Sequence, residues 1–236
     1  ALLVFEEMQE VGCKPTVVVY HALLVGLGRA GRYEEAVKLY RDQMINHEDP
    51  ECRPTRATLS LMCDVCLGRD GAEAALAAAA GASSFGSTVY FQSAGAVEAK
   101  KLYKEAVASG LMEDICPELT AAGNGQTVRA DVRNHTRSAA IVALLVLLET
   151  AKEKKIEMNE LVVMTGGKVR NAGPSRPSKL LLTAQALLDA QGMRSKPLST
   201  LTVQALVIDK PALIAWMERV ETPTTMGAKV HADVEA

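Results

Sequence analysis

The sequence predicts a mainly α-helical chain, with helical hairpins stacked as an α-solenoid in front and a small α/β sandwich behind. Three observations lead there. Aromatic residues make up only 4% of the 236 and hydrophobic residues 48%. The core is therefore Leu, Ala and Val, which favours helices over a β-sandwich. Between residues 20 and 44 the apolar side chains fall on two helical faces separated by a glycine turn, and the proline that precedes this unit recurs 39 residues on, at Pro15 and Pro54. Beyond residue 127, short apolar strands alternate with long helices.

Charge divides along the same line. Residues 1–124 hold eleven Lys and Arg against seventeen Asp and Glu, a net −6, and residues 125–236 hold fifteen against eleven, a net +4. The acidic half is a poor general surface for phosphates. The expected organisation is hairpins over 1–118, a linker at 119–127 containing Gly123-Asn124-Gly125, an α/β domain over 128–221 and a flexible tail over 222–236.

The first half is built on repeated punctuation. Cys13-Lys14-Pro15-Thr16 returns as Cys52-Arg53-Pro54-Thr55, and Lys-Leu-Tyr at 38–40 returns at 101–103. Tyr20, Leu23, Leu24 and Leu27 form one helical face, Gly28-Arg29-Ala30-Gly31 breaks it, and Ala36, Leu39, Tyr40 and Met44 form the next. Gly31 suits a left-handed C-cap. Such a hairpin cannot bury its own face and must stack on others. Residues 1–8 read as the second helix of an earlier hairpin, so a C-terminal piece of a longer chain is expected. Weaker hairpins are expected over 58–80, around Gly68-Arg69-Asp70-Gly71, and over 88–110, with Gly95 in the turn.

In the second half the expected strands are 128–134, 161–164 and 202–208. The expected helices are 137–155, capped by Thr136, then 178–190, and one opened by Pro211. The longest apolar run, 139–148, is well short of the roughly 20 residues a membrane span requires, and reads as a buried helix. Five cysteines in scattered positions do not form a disulfide framework. Cys63 and Cys66 supply only two of the four ligands zinc wants, so no metal is expected, and no other cofactor.

The run Val-Val-Val-Tyr-His-Ala-Leu-Leu-Val-Gly-Leu-Gly-Arg-Ala-Gly-Arg-Tyr-Glu-Glu-Ala-Val-Lys-Leu-Tyr, 17–40, resembles a pentatricopeptide repeat. The resemblance implies paired antiparallel helices that read single-stranded RNA with two side chains per repeat, here His21 and Thr55. The order of elements over 130–220 resembles the small MutS-related domain that follows such repeats in one branch of the family. Of its opening Leu-Asp-Leu-His-Gly, Asp131 is kept and Arg133 replaces the histidine. Of Thr-Gly-x-Gly-x-His-Ser, Thr165 and Gly166 are kept, while Lys168, Arg170 and Asn171 replace the second glycine, the histidine and the serine.

Some domains of that branch cut nucleic acid. A guanidinium stays protonated and cannot act as general acid or base, so no enzyme is expected; His135, placed on the same strand face as Arg133, is the one substitute. The loop from Lys168 to Lys179 carries Lys168, Arg170, Arg176 and Lys179 without an acid and leads into a helix N-terminus, a setting that favours an anion. Arg133 joins it as a candidate RNA or anion contact. Residues 104–215 lack Phe, Tyr and Trp, so that half offers no stacking platform for bases. The expected function is a non-catalytic adaptor in a chloroplast or mitochondrion, docked on protein subunits of a ribosome, polymerase or photosynthetic or respiratory complex. The alternative is an organellar RNA-binding protein acting in transcript processing or translation.

Overall fold

The computed structural model describes residues 2–68, 93–120, 126–166, 177–199 and 203–218. The first half contains α1 (Leu2–Glu10), α2 (Val17–Arg29), α3 (Tyr33–Leu39) continued by a π-helical turn (Tyr40–Met44), a 3-10 turn (Pro50–Cys52), α4 (Arg56–Leu67) and α5 (Ala94–Ala108). A 3-10 turn at Pro117–Thr120 leads to β1 (Gln126–Asp131), α6 (Arg137–Glu153), β2 (Met158–Gly166), α7 (Lys179–Ala190), β3 (Lys196–Ser199), β4 (Gln204–Asp209) and α8 (Lys210–Met217). The described residues are mainly helical, with one small sheet late in the chain.

The α2–α3 hairpin follows its sequence pattern. Tyr20, Leu23, Leu24 and Leu27 are all buried, as are Ala36, Leu39, Tyr40 and Met44. Gly31 makes the turn with φ +71°, a conformation glycine adopts without steric cost. The second helix overruns by a π-turn, closed by the Ile45 N–H donating to the Tyr40 carbonyl at 3.1 Å. Helix α4 packs on α2 and α3, and α5 packs on α4.

The expected hairpin over 58–80 is seen as far as its first helix, α4; its second helix falls in 69–92, outside the described residues. The third expected hairpin is corrected: Gly95 is not in a turn but inside the first turn of the continuous helix α5. Its role is close approach. A Cβ at Gly95 would stand 2.2 Å from the Cys66 carbonyl oxygen, so the absent side chain is what lets α5 meet the C-terminal end of α4. Two acids on α5, Glu98 and Glu105, hold Arg41 at 2.9 and 3.3 Å.

Helix α6 joins the halves. Thr136 caps it, its hydroxyl accepting from the Ala139 N–H at 3.4 Å. Of the run 139–148 only Val146 is not fully buried, because α6 packs against α4 and α5 as well as against α7. A surface helix shows one apolar stripe, whereas one covered on most sides is apolar nearly all round. Lys100 of α5 pairs with Glu149 of α6. Ahead of it, the Asp131 N–H donates to the Ile115 carbonyl at 2.8 Å, and a single cluster of buried apolar residues runs through both halves.

The sheet has the order β1-β2-β4-β3. β1 and β2 are parallel and joined by α6, while β4 runs antiparallel to both β2 and β3. Helices α7 and α8 pack on β2 and β4. β1 begins at Gln126, inside the span expected to be linker, and ends at Asp131, short of the expected 134. The chain turns there, with the His135 N–H donating to the Val132 carbonyl at 3.0 Å. β2 alternates, with Leu161 and Val163 buried and Val162 and Met164 half-buried, so one face lies deeper than the other. The edge strand β3 has no sequence forecast; Pro197 within it hides the strand, since proline fits only where a ladder N–H is dispensable. The expected tail, 222–236, lies outside the described residues. No helix among the described residues is long and apolar enough to cross a membrane.

Candidate functional site

His21 lies in the second turn of α2, and Thr55 is the N-cap of α4. The repeated Cys-x-Pro-Thr punctuation brings them together. The Cys52 thiol donates to the Pro15 carbonyl at 3.1 Å, tying the starts of the two helices. Tyr20, beside His21, is anchored edge-on by Phe5 and His47, with ring centroids 5.6 and 5.9 Å away.

Both predicted contact residues converge on one buried hydroxyl. Thr58 Oγ1 accepts from the Thr55 N–H at 3.0 Å, lies 3.2 Å from Thr55 Oγ1, and lies 2.7 Å from His21 Nε2. The Thr58 N–H returns to Thr55 Oγ1 at 3.4 Å, closing a capping box. Thr58 is fully buried, Thr55 exposed and His21 half-buried. Burial holds the His21 imidazole below its ordinary pKa, so the ring is neutral near pH 7.

The proton count of this triad couples its two outer groups. The Thr58 hydroxyl has one hydrogen and two lone pairs, and one lone pair takes the Thr55 N–H. If its hydrogen goes to His21 Nε2, Thr55 must donate to Thr58; Nδ1–H is then left as a donor and Thr55 Oγ1 as an acceptor. If the imidazole donates through Nε2, Thr58 donates to Thr55; Nδ1 is then an acceptor and the Thr55 hydroxyl a donor. Either way the pair offers one donor and one acceptor of opposite polarity. Thr58 is the functional residue that the sequence reading missed, although Thr55-x-x-Thr58 is a recognisable cap spacing.

The other candidates are dispersed. Lys168, Arg170 and Arg176 lie outside the described residues. Lys179 is exposed at the first residue of α7, whose cap Ser178 accepts from the Leu181 N–H at 3.0 Å. Arg133 forks onto Asp131, Nε to Oδ1 at 2.9 Å and Nη2 to Oδ2 at 2.6 Å. That hydrogen-bonded fork holds the Asp131 carboxyl below the usual range. Thr165 and Gly166 are structural: the Thr165 hydroxyl donates to the Gln204 carbonyl at 3.1 Å, and a Cβ at Gly166 would meet the Gln204 side chain at 3.2 Å.

His135 does not share a strand with Arg133, because β1 has already ended. Its Nε2 faces the Tyr103 hydroxyl at 3.0 Å, and its Nδ1 is buried without a partner. Burial first, then the Arg56 guanidinium, push its pKa down to about 4. Cys63 and Cys66 are buried on α4, and desolvation, with the Glu98 charge behind it, pushes the Cys66 thiol up to about 12. Among the described residues no three His, Cys, Asp or Glu side chains cluster as metal ligands.

Residues 11–42 match the family model described as PPR repeat. That span contains α2, α3 and His21, so this stretch of the chain is similar to a PPR repeat. No curated protein matches the chain.

Proposed function

We propose that this chain is a non-catalytic, RNA-contacting part of an organellar pentatricopeptide-repeat protein, its hairpins arranged as a solenoid. The observation that carries the reading is the convergence of His21, inside the span that the family model matches, and Thr55 on Thr58, the two threonines lying beyond that span at the start of the next helix. A neighbouring donor and acceptor is what the edge of an unpaired base presents. A neutral imidazole and a hydroxyl can meet it at little desolvation cost.

The β1–α6–β2–α7 order supports a small MutS-related outline for the second half. Against catalysis stand the occupied Asp131–Arg133 fork and a His135 turned to Tyr103. A chloroplast or mitochondrion is the compartment that goes with such repeats.

Fluorescence anisotropy with 5′-hydroxyl single-stranded RNA tests this. Wild type binds with a salt-dependent affinity, and the double substitution His21→Ala, Thr55→Ala weakens it by about tenfold, the worth of two modest hydrogen bonds. Absence of binding at low salt, or equal binding by the variant, overturns the reading.

The second reading is an adaptor docked on protein subunits of a large organellar assembly. It is favoured by the acidic first half and by the exposed Leu3, Val4, Val11 and Val18. Association with an assembly that survives nuclease, from a chain that binds no RNA, decides for it.

A further inference from the structure

A cavity of about 470 Å³ opens between α2, α4 and the start of α6. Val25, Leu61 and Val65 give it apolar walls, and Arg29, Arg137, Ser138 and Asp64 give it polar ones. We propose that it binds a nucleotide through its 5′-phosphate, either free or at the end of an RNA strand.

The polar lining is arranged for an anion. Arg29 and Arg137 have no ion-pair or hydrogen-bond partner among the described residues, and neither has Asp64. Arg137 and Ser138 open the seventeen-residue helix α6, whose first amides and dipole point positive charge at this end. Thr136 consumes only the Ala139 N–H with its side chain. Ser138 is the independent sign of a ligand. It is 95% buried, being 5% exposed, yet its hydroxyl has no hydrogen-bond partner among the described residues. The hydroxyl oxygen itself keeps solvent access and the residue lines the cavity, so the oxygen is open to an occupant.

Two guanidinium groups, a serine hydroxyl and helix amides make a phosphate set. The volume exceeds what a phosphate fills and falls within the range of ligand-sized pockets. Val25, Leu61 and Val65 supply the apolar contact a base needs, and the Asp64 carboxylate can accept from a ribose hydroxyl or an exocyclic amine. Arg29 stands eight residues beyond His21 on α2, about 12 Å along the helix axis at ~1.5 Å per residue. The phosphate end of the cavity is thus set apart from the His21–Thr55 pair, while its apolar wall at Val25 and Leu61 lies one helical turn from His21 and Thr58.

Isothermal titration calorimetry of the full chain tests the site with AMP, adenosine and inorganic phosphate, and with matched RNA oligomers bearing 5′-phosphate or 5′-hydroxyl ends. AMP binds, and adenosine binds at least about tenfold more weakly, as loss of charged hydrogen bonds implies. Arg29→Gln and Arg137→Gln each weaken AMP by about tenfold, and Ser138→Ala by a few-fold, with melting temperatures unchanged. Preference for the 5′-phosphorylated oligomer over AMP identifies an RNA end as the source, and the reverse identifies free nucleotide; both support the proposal. No AMP binding at millimolar concentration, equal binding of AMP and adenosine, or unaltered affinity in all three variants overturns it. Because the anisotropy experiment uses 5′-hydroxyl RNA, failure here and failure there are distinguishable.

Discussion

Leu144→Ala lowers the stability of the chain by about 2–5 kcal/mol, the range for removing a buried leucine side chain and leaving a cavity. Leu144 is 1% exposed, in the middle of α6. That helix touches α4 and α5 in the first half and α7 in the second, so the lost contacts belong to a shared core. At roughly 2–4 °C per kcal/mol for a chain of this size, Tm falls on the order of 10 °C. Differential scanning calorimetry shows one transition moving as a whole. Two transitions, of which one keeps its wild-type Tm, would mean that α6 does not couple the halves.

Gly95→Ala is the second large effect, and its sign is informative. Alanine is the better helix former by about 1 kcal/mol, so propensity alone would stabilise α5. A Cβ only 2.2 Å from the Cys66 carbonyl oxygen meets backbone rather than a flexible side chain. Overpacking of that kind costs about 1–3 kcal/mol or more, and it wins. Gly26→Ala in α2 is the control, since a Cβ there meets nothing within 4 Å. Thermal melts therefore show Gly95→Ala below wild type and Gly26→Ala at or above it. A Gly95→Ala protein as stable as wild type would rule out the close approach of α5 to α4.

The contrast between these two glycines shows what a sequence carries. The faces of α2 and α3 were legible because apolar residues at helical spacing have one way to be buried. The run 139–148 was legible as a buried helix for the same reason, but not what covers it, since burial by a neighbour leaves no local mark. Gly95 reads as a breaker in sequence, because a glycine that permits close packing and one that turns the chain look alike until the partner helix is in place. β3 was hidden by Pro197 and its short length. At the candidate site, the resemblance to the repeat pointed to His21 and Thr55. Thr58, which binds them together, was not legible, because convergence on a buried hydroxyl is a property of the packed α2–α4 pair. The Arg133 fork on Asp131 was missed through an overlong β1; a turn after Asp131 brings the two side chains together.

The central claim is that RNA is met at the His21–Thr55 pair. Its most direct measurement is NMR of the histidine ring resonances during titration with 5′-hydroxyl single-stranded RNA, with His21 assigned through a His21→Gln variant. Both rings are half-buried, but His135 has its Nε2 on the Tyr103 hydroxyl and its Nδ1 buried, away from the His21–Thr58 contact, so the expected result is that the His21 signals shift progressively while those of His135 stay in place. RNA binding that leaves the His21 signals unmoved would contradict it.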